Sequence, residues 1–127
     1  MTERNDVESI KCSVKRLDEF VSSNKLKVDF IKCDVEGAEL FTFLGAKDTI
    51  ALYRPVVFSE MLRKWSAKFN YHPNEIINFF GSMGYQCFYA NDNSLKVITE
   101  MTNETEETNF FFLHSEKHSS LINKFQN

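Results

Sequence analysis

Apolar positions along the chain fall into short runs with two different spacings. Ile10, Cys12 and Val14 alternate with polar residues, which predicts a short strand or extended lead-in. Residues 16–24 then read as a brief helix capped by Asp18. Residues 28–35, VDFIKCDV, are dense in apolar and β-branched side chains, with Asp29 and Lys32 as charges before Asp34 near its end. Such density predicts a strand covered on both faces, as in the middle of a parallel sheet. Leu40, Phe41 and Leu44 recur at helical spacing, Gly45 interrupts, and residues 47–53 resume until Arg54-Pro55 stops them. This is one broken helix or two short ones.

A second apolar strand, residues 55–61, again runs out at a carboxylate, Glu60. Residues 62–72 mix aromatic and basic side chains and read as a loop. Pro73 sits where the first turn of a helix tolerates it. Ile76, Ile77, Phe80 and Met83 share one face of that helix, and Gly84 ends it. His72, just before the proline, reads as a loop residue or N-cap rather than a base. Strands follow at 85–90, 95–99 and 110–115, with NDNS as the turn between the first two and an acidic loop at 100–109 before the third. The tail, 116–127, is a short helix or a frayed end. Alternating strands and helices imply a mostly parallel α/β sheet with right-handed crossovers and an antiparallel pair at its end.

Composition narrows the class. The chain has 127 residues, 43% of them hydrophobic and thirteen of them phenylalanine, enough for one domain with a real core and too few for two. A net charge of -3 with scattered Lys and Arg offers no clustered positive surface for nucleic acid. Cys12, Cys33 and Cys87 are odd in number and far apart, so neither a disulfide framework nor a zinc site is indicated, and a cytoplasmic setting is expected. The charged N-terminal segment lacks the apolar core of a signal peptide, and no run has the length of a membrane span. The sequon at Asn103-Glu104-Thr105 carries little weight without one.

In open α/β sheets, ligands bind beyond the carboxyl ends of the strands. Asp34 and Glu36 follow one predicted strand and Glu60 ends the next, so neighbouring strands would gather all three at one edge. The competing reading is an acidic exit loop whose carboxylates serve helix N-termini. For Glu39 that capping role is preferred; for Asp34 and Glu36 both readings stay open. Arg63, Lys64, Trp65 and Lys68 could stack an aromatic on a sugar ring and pair with an anion, or be surface loop. Carboxylates would suit magnesium, yet no full ligand set for a metal is visible.

The stretch VDFIKCDVEGAEL, with FLGAKDTIALYRPVVFSEM and FFGSMGYQCF after it, resembles the C-terminal half of the FkbM-type methyltransferases. The matching positions are Asp29, Ile31, Lys32, Asp34, Val35, Glu36, Gly37, Ala38 and Glu39. Leu17-Asp18, Gly45-Ala46, Arg54-Pro55, Gly84-Tyr85 and the NFFFL strand extend the likeness to about residues 10–114.

The resemblance implies S-adenosylmethionine as cofactor, a small hydroxylated acceptor such as a sugar, and O-methylation. It implies a partial Rossmann-like class I methyltransferase fold, residues 1–127 forming a single partial domain that lacks the cofactor-binding N-terminal strands and their glycine-rich turn. On that basis Asp34 and Glu36 are expected to be catalytic and Asp34 and Gly37 to contact the cofactor. Glu60, Arg63 and Trp65 are expected to line the acceptor site. A strand 28–35 that has lost its neighbour is expected to invite self-association through the exposed edge. The alternative is a non-catalytic α/β fragment or interaction module that binds no cofactor alone.

Overall fold

The computed structural model describes residues 6–126; the start of the charged N-terminal segment, residues 1–5, and Asn127 lie outside it. The elements in chain order are α1 (Leu17–Ser23), β1 (Phe30–Cys33), α2 (Glu39–Leu44), α3 (Lys47–Tyr53), β2 (Val56–Glu60) and α4 (Arg63–Ala67). They continue with α5 (Asn74–Gly81), β3 (Tyr85–Asn91), β4 (Ser94–Ile98), β5 (Asn109–His114) and α6 (Ser119–Phe125). Among the described residues no helix is long and apolar enough to cross a membrane.

The strands form one sheet in the order β1-β2-β5-β3-β4. Only β1 and β2 pair in parallel; β2–β5, β5–β3 and β3–β4 are antiparallel. The expectation of a mostly parallel sheet is therefore corrected to a mixed one. The cause is β5: it inserts between β2 and β3, so two strands of the same direction are separated by one of the opposite direction. Along the chain this looks like parallel alternation, but side by side it is not.

One face of the sheet carries the main core. Val57, Phe110, Phe112, Tyr85 and Cys87 meet Phe43 of α2, Ile50 of α3 and Ile76 and Phe80 of α5. Phe80 stacks on Phe112 at 4.2 Å between ring centroids and meets Phe43 edge-on at 4.9 Å, arrangements that add to plain area burial. On the other face Phe88, Leu113 and Ile122 gather under α6, with Val56, Leu95 and Phe111 half-covered beside them. Burial pushes the Cys87 thiol up, so it packs as a small apolar group.

Local chemistry explains where the helices stop. The segment after Phe43 splits into two helices at Gly45 and Ala46. α3 ends on Arg54 in the left-handed region, with Pro55 next. The turn after α5 closes on Gly84 at φ 86, where an added Cβ would stand 2.9 Å from His114 Nε2. His72 does serve α5: its Nδ1 accepts from the Asn74 amide at 3.0 Å.

Other expectations give way. Residues 10–14 form no strand and are exposed, pairing with none of the strands of the sheet. The strand 28–35 shortens to four residues. It is not covered on both faces: Phe30 is 55% exposed, since β1 is the edge strand. Residues 63–67 are helical rather than loop.

Asp18 lies inside the first turn of α1 and caps α3 instead. Its carboxylate accepts from the Asp48 amide at 3.1 Å, the Thr49 amide at 2.8 Å and Thr49 Oγ1 at 2.7 Å. Burial works against its ionisation, but these bonds outweigh it and hold the carboxyl below its ordinary value.

The contribution of Asp18 is therefore present above the ordinary carboxylate pKa and lost as pH falls through the lowered one. Replacing Asp18 with Ala should cost about 1 kcal/mol, the usual worth of a helix cap, in urea unfolding at pH 7, and less at pH 3. An equal cost at both pH values would show that the carboxylate charge is not involved.

Candidate functional site

The parallel pairing of β1 with β2 builds one end of the sheet. Cys33 stands opposite Ser59, so the two strands finish together, with Asp34 leaving β1 beside Glu60 at the end of β2. Asp34 and Glu36 are exposed and Glu60 is half-buried. The sequence expectation that three carboxylates would meet at one edge depended on these strands being neighbours, which they are.

Beyond Asp34 the chain reverses through two successive positive φ angles, 51° at Glu36 and 109° at Gly37. The first is tolerated at a cost by a side chain; the second is glycine's region. Gly37 is also held by contact. A Cβ there would stand 2.6 Å from the Trp65 carbonyl oxygen and 2.9 Å from the Phe69 ring. Its amide donates to Glu39 Oε2 at 2.8 Å, and its carbonyl accepts from the Tyr71 hydroxyl at 2.7 Å. The same hydroxyl accepts from the Leu40 amide at 3.4 Å.

Glu39 is the side chain that reading the sequence undervalued. It begins α2, as a capping carboxylate should, but it is only 3% exposed. Burial raises its pKa first, and the charges of Asp34 and Glu60 add to the effect; bonds from the Glu39 and Gly37 amides oppose it. Tyr71 is raised by burial and then by Glu39, and the Cys33 thiol is pushed up to about 12 by burial, Glu39 and Asp34. These groups share one electronegative neighbourhood. The available signal was a carboxylate opening an otherwise apolar helix, ELFTFL, whose inward face has little room for a charge.

Trp65 adjoins the turn through its carbonyl, while its ring is flanked by Lys68 Nζ at 4.3 Å and Lys64 Nζ at 5.5 Å. Arg63 faces the other way. Its guanidinium donates to the carbonyls of Thr102, Thr105 and Asn103 and so holds the acidic loop, which Asn74 pins further through both the amide and the carbonyl of Met101. Among the described residues no three His, Cys, Asp or Glu side chains are grouped so that they could hold a metal ion.

The model of the methyltransferase FkbM domain matches residues 2–87, well over half of the chain. The chain belongs to the FkbM methyltransferase domain family. The match runs from the N-terminal segment into β3, so it takes in the turn at Gly37, Glu39, Glu60 and Trp65, while β4, β5 and α6 lie beyond it. No curated protein and no solved structure matches the chain. Within this FkbM domain the electronegative end of the β1–β2 pair is the candidate site, and its shape rests on the Gly37 turn.

Gly37→Ala should lower stability by on the order of 3 kcal/mol, from overpacking against Trp65 and Phe69 together with left-handed strain. Gly81→Ala, a helical position with open space around it, should be neutral or slightly stabilising in the same denaturant titration. Equal effects at the two glycines would mean that the turn is not clamped as described.

Proposed function

We infer that this FkbM domain forms one wall of an S-adenosylmethionine-dependent O-methyltransferase site whose acceptor is a hydroxyl of a sugar or other small hydroxylated metabolite. The observation that carries this reading is the convergence of Asp34 and Glu60 on the buried Glu39 at the carboxyl ends of the parallel pair, the edge where α/β sheets take ligands. The strand order supports a Rossmann-like class I arrangement: β1, β2 and β3 run one way and β5 runs against them.

The donor chemistry fits the cofactor in part. Carboxylates suit ribose hydroxyls and a cationic sulfur, and Asp34 with the Gly37 turn would hold that side. The four glycines, at 37, 45, 81 and 84, provide no glycine-rich turn to cradle the rest. The reading therefore requires a glycine-rich polypeptide to complete the cleft. S-adenosylmethionine supplies a methyl group on a positively charged sulfur.

Asp34 and Glu36 have the exposure to meet an acceptor hydroxyl, fix its oxygen for in-line attack and take its proton as the new O–C bond forms. Glu60 narrows the same pocket, and Trp65 with its lysines offers a stacking face for a ring. Arg63 would contribute by keeping the acidic loop in place. Buried Cys33 and Cys87 thiols agree with a reducing, cytoplasmic setting. The second reading is a non-catalytic α/β module that binds no cofactor by itself.

The deciding experiment joins the chain to a glycine-rich half of an FkbM-type protein and measures transfer of labelled methyl groups to a panel of sugars. Asp34→Asn and Glu36→Gln should each lower turnover by about 10² or more, the usual scale of general-base catalysis. Undiminished transfer in both variants would remove the roles given to them. Failure of S-adenosylmethionine to bind the joined protein, measured by calorimetry, would favour the non-catalytic module.

A further inference from the structure

α6 is joined to the sheet through an imidazole. β2 pairs with β5 only as far as Val57 and Phe112. Beyond that pair the buried amide of His114, the last residue of β5, donates to Nδ1 of His118 at 2.8 Å. His118 is itself buried and is the N-cap of α6, so this bond links the helix to the end of a strand. An Nδ1 that accepts from an amide carries no proton, so the ring is neutral with its proton on Nε2. The turn between the two residues uses the same chemistry: His114 Nδ1 accepts from the amides of Glu116 and Lys117, each at 3.2 Å. Those bonds stay within the turn, whereas the His118 bond reaches back to the strand.

A proton on His118 Nδ1 would set N–H against N–H and place a cation at the positive end of a helix. The charged and titratable groups around the ring are Lys117 and His114 from its own turn, Arg54 from the end of α3, and Tyr85 from β3, whose ring centroid is 6.3 Å away. Burial first, then Lys117 and His114, hold His118 below its ordinary value of 6.5, against a hydrogen bond to the Arg54 backbone. The closed arrangement is thus at full strength above that ordinary value and weakens as pH falls below it towards the lowered one.

α6 can leave without the rest of the domain. Among the described residues it gives Ile122 to the small cluster with Phe88 and Leu113, and no side chain to the core on the other face. Its packing is incomplete: a cleft of about 580 Å³ is lined by Leu121 and Phe125 from α6 and by Val56, Leu95 and Phe111 from the sheet. Elements with few buried apolar contacts open locally at less cost than the whole fold. We propose that α6 is an acid-released latch: a proton taken up at His118 Nδ1 breaks the bond to His114 and frees the helix from the sheet, baring Phe88, Phe111 and Leu113 while the main core stays folded. The proposal does not rest on methyl transfer.

Hydrogen exchange of the full chain, followed by nuclear magnetic resonance from about pH 8 to about pH 5 and corrected for the intrinsic exchange rate, tests this. Protection of the Ile122 and Gln126 amides, which donate within α6, should fall by about five-fold or more, the worth of one hydrogen bond. The fall should share its midpoint with the His118 ring, and the amides of β2 and β5 should keep their protection. His118→Asn puts an amide oxygen where Nδ1 stands and cannot titrate, so the fall should shrink to within about two-fold, whether α6 is then held by that oxygen or already open. Constant protection of α6 across the range, a loss shared by β2 and β5, or the full fall retained in His118→Asn would overturn the proposal. So would ring nitrogen shifts that place the His118 proton on Nδ1 at about pH 8.

Discussion

Two consecutive residues in left-handed backbone, Glu36 and Gly37, set the direction in which the chain leaves β1, and the rest of the site depends on that reversal being held. Left alone, the turn would be one conformation among several. Here the Gly37 amide is taken by Glu39, its carbonyl by Tyr71, and its bare Cα lies against α4. Two distant parts of the chain, α4 and Tyr71, thus converge on Gly37 together with its near neighbour Glu39. The consequence is that Asp34 and Glu36 point outward at the end of the sheet while Glu39 is carried inward behind them.

That division of labour separates the acidic groups by environment. Asp34 and Glu36 remain in water, where a carboxylate can meet a ligand at little desolvation cost. Glu39 sits in a place that disfavours its charge and is further opposed by its acidic neighbours. The Gly37 amide partly offsets this, so one bond couples the ionisation of a buried group to the geometry of the exposed ones. Membership of the FkbM family gives this edge a chemical context, and the position of the edge at the ends of parallel strands gives it a physical one.

Much of this was legible in the sequence because the signals were local. VDFIKC followed by DVEG announces a strand and its exit; Pro73 and Gly84 bracket α5; and the break at Gly45 separates two helices. What escaped was set by partners far along the chain. That β5 lies between β2 and β3 follows from which strands pack together, which spacing does not encode. Asp18 has the type and position of a cap for α1, and only the folded arrangement brings α3 against it. Arg63 and Trp65 lie two residues apart in one basic stretch, yet helical geometry sends the guanidinium to the acidic loop and sets the Trp65 carbonyl against the turn. Glu39 is recognisable as the start of a helix, whereas its burial belongs to the folded arrangement alone.

The central claim is that a buried Glu39 shares its surroundings with Asp34 and Glu60 at the end of the β1–β2 pair. Titration of the carboxyl carbons by nuclear magnetic resonance measures this directly. The account predicts a Glu39 midpoint above the ordinary value of 4.5, falling part of the way back in Asp34→Asn and in Glu60→Gln because burial remains. A Glu39 that titrates at its ordinary value and ignores both substitutions would contradict it.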